Sequence, residues 1–376
     1  MRHSVILFAT VFILIAIISR PLTAFEANIP VLVPLTGFLS LEGTSQRNGA
    51  LLALENPPIN VSVKYDVADT STAPENAVTA LERAVSRGKI SAVVASMLGT
   101  QILAMLPLAI EYKLPLVTTS GTAKITEMGN PWIFRFFPGD AITKVAHARY
   151  AVEELGKRRP AIIYQTTAYG QSGQQHLNET LKKFGIDIVY EEGIDTSVKD
   201  MLPLINKIRR AMPDVLLLHL HSVPTALFIK QAHSVGINIP IVAGSAMHQP
   251  STAALLEPSE LKGVCAESGS SPISGGTAGI EEFTRDYRKR FNSEPDAFAL
   301  SQYDATVMVL AAIASGATTP DDIRGYLSKK THDGLAMDYK SDGKGNMAHD
   351  AVIICYSGND RRPEIVKYYH ALNSSN

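Results

Sequence analysis

Hydroxyl-bearing residues and glycine follow three apolar stretches in the first half of the chain. These loops read Leu35-Thr36-Gly37, Ser96-Met97-Leu98-Gly99-Thr100 and Thr118-Thr119-Ser120-Gly121-Thr122. Such loops open helices, where free backbone N–H groups and the helix dipole favour an anion, and hydroxyls add donors without a counter-charge. Helix capping would explain one loop of this kind, whereas three of them favour an anion site. Because the loops contain no Lys or Arg, a single carboxylate fits them better than a polyphosphate.

The corresponding loops of the second half carry aromatic rings and imidazoles. They read Tyr164-Gln-Thr-Thr-Ala-Tyr-Gly170, His219-Leu-His-Ser-Val-Pro224 and Ala243-Gly-Ser-Ala-Met-His248. These side chains suit a ligand with an apolar or aromatic body and a polar handle. His219, His221 and His248 are possible zinc ligands. Because no acidic or Cys ligand joins them at a fixed spacing, hydrogen bonding to ligand or backbone is the expected role, and we expect no metal.

Patterns that would indicate enzymatic chemistry are missing from the sequence. It contains no G-x-S-x-G elbow, no Walker motif and no G-x-G-x-x-G. No carboxylate pair stands at matched strand ends. A Ser-His-Asp arrangement is recognised by geometry rather than by order, so a secreted hydrolase that pairs a serine with a cleft histidine stays open as an alternative. We expect a binding protein without a cofactor, and not an enzyme.

Apolar and amphipathic runs alternate beyond residue 28, as is typical of βαβ units around a parallel sheet. The clearest helix covers 73–87, with Thr72 as its cap and Gly88 at its end, and another follows Asp140. In an open α/β sheet ligands bind at the carboxyl ends of the strands, where the loops above lie. Strands are expected at 28–34, 61–67, 90–95, 114–118, 132–137, 160–164, 186–190, 214–220, 240–243, 263–267 and 351–356.

Two sets of these units, 28–130 and 158–262, each have the size of one α/β domain. The aromatic stretch 130–140 and the Ser/Gly-rich stretch 268–279 are expected to cross between them. Residues 279–328 are expected to be mostly helical and to return to the first set. The predicted fold class is therefore α/β, with two Rossmann-like lobes built on parallel-core sheets.

Composition and the N-terminus indicate the compartment. The formal net charge is -1, so nothing attracts nucleic acid or an anionic membrane. Residues 1–24 combine a short basic start, an apolar run and Leu22-Thr23-Ala24, the small-residue pattern of a signal-peptidase site. We therefore expect export, and no long apolar stretch afterwards. Cys265 and Cys355 can pair in an oxidising compartment, although a buried free thiol suits their apolar segments equally well.

Six segments of the chain carry a resemblance to a known family, through their order and spacing. They are "IPVLVPLTGFLSLEGTSQRNGALLALE" (29–55), "YDVADTSTAPENAVTALERAVSRGKISAVVASMLGTQ" (65–101), "YKLPLVTTSGTAKITEMGNPWIFRFFPGD" (112–140), "AIIYQTTAYGQSG" (161–173), "FIKQAHSVGI" (228–237) and "SQYDATVMVLAAI" (301–313). The mature chain resembles the periplasmic branched-chain amino-acid-binding proteins, the type I solute-binding components of ABC importers. The resemblance implies a periplasmic monomer that traps a small ligand by hinge closure and presents it to an ABC permease.

The resemblance also implies the layout of the lobes. Three crossings are expected to join them. The first lobe would comprise residues 25–137 and 264–338, and the second lobe residues 138–263 and 339–376. A sensor module that presents its ligand to a signalling partner uses the same layout and is an alternative to transport.

Site residues follow from the resemblance position by position. Hydroxyls and backbone N–H groups of two first-lobe loops would hold the ligand carboxylate, and the family's cleft tyrosine matches Tyr169. A second aromatic position matches His221 or Ser222, and a late aromatic contact would fall near Phe298. The residues expected at the carboxylate are Ser96, Met97, Leu98, Thr100, Thr118, Thr119, Ser120 and Thr122.

One departure from the family pattern bears on the ligand. Members that bind amino acids clamp the α-ammonium with a Glu, and Ser245 aligns at that position. A serine does not neutralise a cation in a closed cleft, where an unpaired ammonium costs several kcal/mol. We therefore expect an aromatic or branched aliphatic acid as ligand. Glu42 offers a displaced partner for an ammonium, which would permit an amino acid; otherwise it is a solvated residue at a helix start.

Overall fold

Sixteen short strands form the sheets of residues 25–372, which the computed structural model describes. The expected signal peptide of residues 1–24 lies outside the described residues. The strands are β1 (Phe25–Asn28), β2 (Val31–Val33), β3 (Val61–Lys64), β4 (Val67–Asp69), β5 (Val93–Ala95), β6 (Leu116–Thr118), β7 (Ile133–Arg135), β8 (Pro160–Gln165), β9 (Tyr190–Ile194), β10 (Val215–His219), β11 (Ile241–Ala243), β12 (Val264–Ser268), β13 (His332–Asp333), β14 (Asp338–Tyr339), β15 (Ala351–Cys355) and β16 (Glu364–Tyr369).

Two main sheets organise these strands. The first has five parallel strands in the order β4-β2-β5-β6-β7, and the second has seven in the order β16-β15-β12-β11-β10-β8-β9. In the second sheet β15 and β16 run antiparallel to the parallel core. Two-stranded pairs, β1 with β3 and β13 with β14, complete the set. The predicted α/β class with two parallel-core sheets is confirmed.

Helices cover both faces of each main sheet, as parallel sheets require. Short 3₁₀ turns lie at Ser245–His248, Pro258–Leu261 and Pro272–Ser274, and a π-helical turn at Tyr150–Glu154 follows the fifth helix. The α-helices are α1 (Ser40–Leu54), α2 (Pro74–Ser86), α3 (Gly99–Glu111), α4 (Lys124–Glu127), α5 (Asp140–Arg149), α6 (Ala168–Lys183), α7 (Leu202–Ala211), α8 (Ser222–Ser234), α9 (Pro250–Ala253), α10 (Ala278–Phe291), α11 (Ala297–Ala314) and α12 (Pro320–Lys329).

Two apolar cores per sheet define the lobes. Helices α1, α11 and α12 pack on one face of the five-stranded sheet, and α2 and α3 pack on the other. We call this body the first lobe. The seven-stranded sheet lies between α7 and α8 on one face and α5 and α6 on the other, and we call it the second lobe.

The expected lobe boundaries need correction at two crossings. Val264–Ser268 was expected in the first lobe, but β12 pairs with β11 and β15 in the second sheet, so the chain returns only after Ser268. Met347 and Ala348 pack in the first lobe's core, so the last crossing follows Ala348 and not residue 338. The first error arises because pairing with the distant strand β15 decides the boundary, and the second because Asn346 pairs with Arg135 of β7.

Local expectations also differ in detail from the structure. The expected strands 28–34 and 61–67 are each two strands, β9 begins at Tyr190 instead of residue 186, and β13, β14 and β16 were not expected. Helix α2 begins at Pro74 after an Ala73 N-cap without a side-chain cap, so Thr72 does not cap it. The fixed φ of proline suits the first helical position without such a bond.

Helix α11 contradicts the expectation that no long apolar stretch follows residue 24. Its 18 residues are apolar enough to cross a membrane by length and composition, yet most of it is buried inside the protein. It packs against α1 in the first lobe's core, through residues such as Met308 and Val309. It is therefore a core helix of this lobe.

Cys265 and Cys355 form a disulfide. They are directly paired residues of the antiparallel strands β12 and β15. The bond therefore links β12 to β15 within the second sheet. Of the two states that the sequence left open, a disulfide and two buried free thiols, the structure shows the disulfide.

Candidate ligand-binding site

A cavity between the two lobes is lined from both sides. The first lobe contributes Leu39, Glu42, Met97, Leu98, Gly121 and Phe298, and the second contributes Tyr169, His221, Ser245 and Ala246. Seven of the residues expected at a ligand meet here: Glu42, Met97, Leu98, Tyr169, His221, Ser245 and Phe298. The cavity has a volume of about 30 Å³, so the side chains of the two lobes lie close together.

Three hydroxyls beside this cavity are buried without a hydrogen-bond partner in the described part of the chain. They belong to Thr119, Ser120 and Thr122. These residues and Gly121, which lines the cavity, form a segment that we call the cradle loop. A Cβ at Gly99 would lie only 2.0 Å from Thr122 Oγ1, so that hydroxyl lies at the first residue of α3. Donors at a helix N-terminus suit an anion.

Three other expected residues have different roles in the structure. Thr118 Oγ1 donates to the carbonyl oxygen of Ser96 (2.8 Å), and Ser96 Oγ accepts from the Leu98 N–H (3.1 Å). Ser96 Oγ also donates to Gln101 Oε1 (2.6 Å). Thr100 is half-buried on α3 and does not line the cavity. Ser96 and Thr118 therefore hold the loops in shape, and Thr100 stands apart.

The sequence interpretation missed Arg135. This residue of β7 is buried, and its Nη1 donates to the carbonyl oxygens of Gly121 (3.2 Å) and Thr122 (2.8 Å). A guanidinium thus lies behind the cradle loop, on the side away from the cavity. Its signal in the sequence is a lone charge inside the aromatic run "WIFRFF" (132–137), where only an internal partner can satisfy an arginine.

Aromatic rings form the second-lobe wall. The Tyr169 ring centroid lies 3.9 Å from that of His219 and 5.2 Å from that of His221. Phe38 of the first lobe lies 5.2 Å from the His221 ring, so the stack continues across the cleft. Burial lowers the pKa of His221 to about 4. The wall is therefore neutral at neutral pH and suits an apolar or aromatic ligand body.

Glu42 is buried and faces the second lobe, which rules out the solvated position considered from sequence. Its Oε1 accepts hydrogen bonds from the backbone N–H (3.0 Å) and Oγ (2.6 Å) of Ser222, at the first residue of α8. Its Oε2 has no partner among the described residues. Burial raises the pKa of the Glu42 carboxyl, and the hydrogen bonds from Ser222 oppose that shift.

The hydrogen bonds around Ser222 are consistent with a protonated Glu42 carboxyl. Ser222 Oγ also lies 2.7 Å from Gln249 Oε1. The Gln249 amide is oriented by its Nε2, which donates to Asp296 Oδ2 (2.6 Å). A hydroxyl has one proton and here faces two acceptors. If Glu42 carries a proton, it donates to Ser222 Oγ and both contacts are satisfied.

Ser245 contacts the buried carboxylate of Glu267, whose charge is neutralised by a lysine. Its backbone N–H donates to Glu267 Oε1 (3.1 Å), and that carboxylate forms an ion pair with the fully buried Lys144. Since Lys144 neutralises Glu267, this wall of the cavity presents no uncompensated negative charge. Among residues 25–372 no group of three or more His, Cys, Asp or Glu could hold a metal ion.

Comparisons with known proteins agree with this architecture. A family model described as periplasmic binding protein matches residues 26–359. An amino acid binding protein of Pseudomonas aeruginosa is 27% identical over 321 residues, which is 82% of this chain and 83% of that protein.

Two solved structures share the fold. A leucine binding protein of Thermotoga maritima has a TM-score of 0.82 at 21% identity, with 92% of this chain and 99% of that chain covered. A solute-binding protein of R. palustris in complex with benzoate has a TM-score of 0.83 at 16% identity, with 93% and 98% covered.

Two lobes that enclose a cavity define a type I periplasmic solute-binding protein. The chain belongs to the periplasmic binding protein family. It is thus a solute-binding protein that binds a small molecule, and family membership implies a periplasmic location. Because these proteins bind without chemistry, the hydrolase alternative is wrong.

Proposed function

We propose that this protein captures a small organic carboxylate, an aromatic or branched aliphatic acid, between its lobes and delivers it to an ABC permease. It acts as a monomer, exported by the signal peptide of residues 1–24. The observation that carries the ligand class is the cradle loop, whose three buried hydroxyls have no hydrogen-bond partner within residues 25–372. A carboxylate accepts hydrogen bonds from such donors, and charge-assisted bonds are the stronger kind.

Closure of the two lobes would complete the site. The cradle loop belongs to the first lobe, and the aromatic wall of Tyr169 and His221 belongs to the second. A ligand that contacts both walls stabilises the closed arrangement by its differential affinity for it. We propose that the three crossings act as the hinge.

The absence of an ammonium partner at Ser245 supports an acid over an amino acid. The nearest acidic group there, Glu267, is already paired with Lys144. Glu42 on the opposite wall is buried, which disfavours its charged form unless a cation lies beside it. Benzoate in one structural relative is a ligand of the proposed class.

An amino acid is the second candidate, and the position of Glu42 favours it. The Glu42 side chain lines the cavity, and its Oε2 has no partner among the described residues. An ammonium at that atom would ionise the carboxyl and form a buried ion pair. The amino acid binding and leucine binding relatives are consistent with this candidate.

Matched ligand pairs distinguish the two candidates. Calorimetric titration of the mature protein would compare leucine with 4-methylpentanoate and phenylalanine with 3-phenylpropanoate, together with benzoate. Each pair differs only in the amino group. We expect binding of at least one acid and weaker binding of its amino acid partner. Binding of the amino acids alone would refute the organic acid and establish the second candidate.

A further inference from the structure

Arg135 contacts the backbone carbonyl groups of the cradle loop, the candidate carboxylate site, and does not itself line the cavity. Its side chain holds the carbonyl side of the cradle loop through Gly121 and Thr122, and Gly121 itself lines the cavity. The rest of the guanidinium is fixed by Thr126 Oγ1 (2.9 Å) and by Asn346 Oδ1, which accepts from Nε (3.0 Å). The cradle loop is therefore fixed in place through its carbonyl groups.

This guanidinium is not neutralised by a direct ion pair. In the part of the chain that the structure describes, no carboxylate lies within 4.0 Å of it. Burial lowers the pKa of Arg135 to about 10, so it stays charged at neutral pH. The other charges that act on it belong to Asp140, Asp342 and Glu127. Burial raises the pKa of Asp140 to about 7, which leaves this acid only partly ionised.

We propose that Arg135 is a positioning residue that makes the cleft selective for anions. Its hydrogen bonds to Gly121 and Thr122 fix the cradle loop, and its charge, which no carboxylate of the described residues contacts directly, favours a carboxylate over the neutral amide of the same shape. A charge in a region of low dielectric acts over several ångströms without contact. This inference rests on the proposed function, since it assumes a carboxylate in the cleft.

The test compares acids with their isosteric amides by calorimetric titration. The probes are benzoate with benzamide, 3-phenylpropanoate with 3-phenylpropanamide and leucine with leucinamide. We expect the wild-type protein to prefer at least one acid over its amide by 100-fold or more. The Arg135→Met variant should lose at least tenfold of this preference: the loosened loop weakens both ligands, and the acid loses affinity further because the charge is gone.

Two further variants separate charge from structure. Arg135→Lys keeps the positive charge but loses the planar guanidinium with its several N–H donors. Asn346→Ala removes one hydrogen-bond acceptor of Arg135 and leaves the guanidinium itself. Both should keep the preference within threefold of wild type. If Arg135→Met does not fold, Arg135→Lys becomes the test. A tenfold loss of its preference for the acid over the amide refutes the proposal.

With a folded Arg135→Met, an unchanged preference for the acid overturns this inference alone. Equal losses of affinity for acid and amide are one form of that result. An absence of preference in the wild-type protein instead refutes the proposed function, and this inference with it.

Discussion

Glu42 of the first lobe caps a helix of the second lobe: its Oε1 lies 3.0 Å from the backbone nitrogen and 2.6 Å from the hydroxyl oxygen of Ser222, where α8 begins. Through Ser222 the contact continues to Gln249 and from there to Asp296 of the first lobe. This chain of buried polar groups crosses the cleft twice. These contacts join the two lobes, and Glu42 lines the cavity between them, so its charge bears on the charge of the ligand.

Replacement of Glu42 by Gln distinguishes the two ligand candidates. Gln is neutral and of nearly the same shape, and its Oε1 can accept from the Ser222 backbone N–H as the carboxyl oxygen does. For an acid ligand we expect a change of less than about 1 kcal/mol in binding free energy, measured by calorimetry. For an amino acid whose ammonium meets Glu42, the loss should be about 3–5 kcal/mol, because a buried cation loses its partner.

Glu55→Gln is the matched control for this variant. Glu55 directly follows the same helix and forms an ion pair with Arg290 outside the cleft, so its replacement should leave binding unchanged. A large loss of acid binding in Glu42→Gln, with no amino acid bound by wild type, would contradict a protonated Glu42.

Removal of single hydroxyls from the cradle loop tests the anion site. Thr119→Val and Thr122→Val should each weaken carboxylate binding by about 1.5–3 kcal/mol, the cost of one charge-assisted hydrogen bond. Since neither hydroxyl has a partner among the described residues, thermal stability without ligand should not fall. Thr100→Val, at a half-buried position outside the cavity, is the control. Unchanged affinity in both cradle variants would leave the loop with a capping role only.

The sequence predicts the cradle loop because its signal is local. Hydroxyls next to glycine at the end of an apolar run predict a strand end that opens a helix, and Thr119, Ser120 and Thr122 lie there. Tyr169 and Ser245 lie at the expected edge for the same reason. Those features need only the strand order and the rule that parallel strands end at one edge.

Glu42 and Arg135 could not be assigned in this way. A glutamate at a helix start normally faces water, but the polar side of α1, including Ser45, Gln46 and Asn48, is buried. Nothing in α1 alone reveals that another element covers this side. Arg135 looks like an interruption of a strand until Asn346, more than two hundred residues later in the sequence, is brought beside it.

The disulfide is expected to contribute stability and not affinity. Cys265 and Cys355 are 90 residues apart, and a link over such a loop typically stabilises a protein by about 2–4 kcal/mol. The double variant Cys265→Ser/Cys355→Ser should lose this amount in chemical denaturation. Neither cysteine lines the cavity, so ligand affinity should stay within twofold. A large loss of affinity would mean that the link also sets the geometry of the cleft.

The buried Asp140 carboxyl should make the folded protein more stable at acidic pH than at neutral pH. Burial raises its pKa from 3.8 to about 7 in the folded protein, so the fold holds a proton that the unfolded chain releases above pH 4. This contribution is fully present below the unfolded pKa and is lost as the pH rises toward about 7. Buried histidines act in the opposite direction: burial lowers the pKa of His221 and His248 to about 4, which costs stability as the pH falls below 6.5.

A comparison with Asp140→Asn isolates the carboxyl, because the histidines contribute to both proteins. The free energy of unfolding of wild type relative to the variant should be higher at pH 5 than at pH 8 by roughly 2–3 kcal/mol, from about two pKa units at 1.36 kcal/mol each. Urea denaturation at a series of pH values measures it. A difference that is constant with pH would show that Asp140 is ionised throughout; its negative charge beside Gly121 would then oppose an anionic ligand and weaken the case for Arg135 as a source of selectivity.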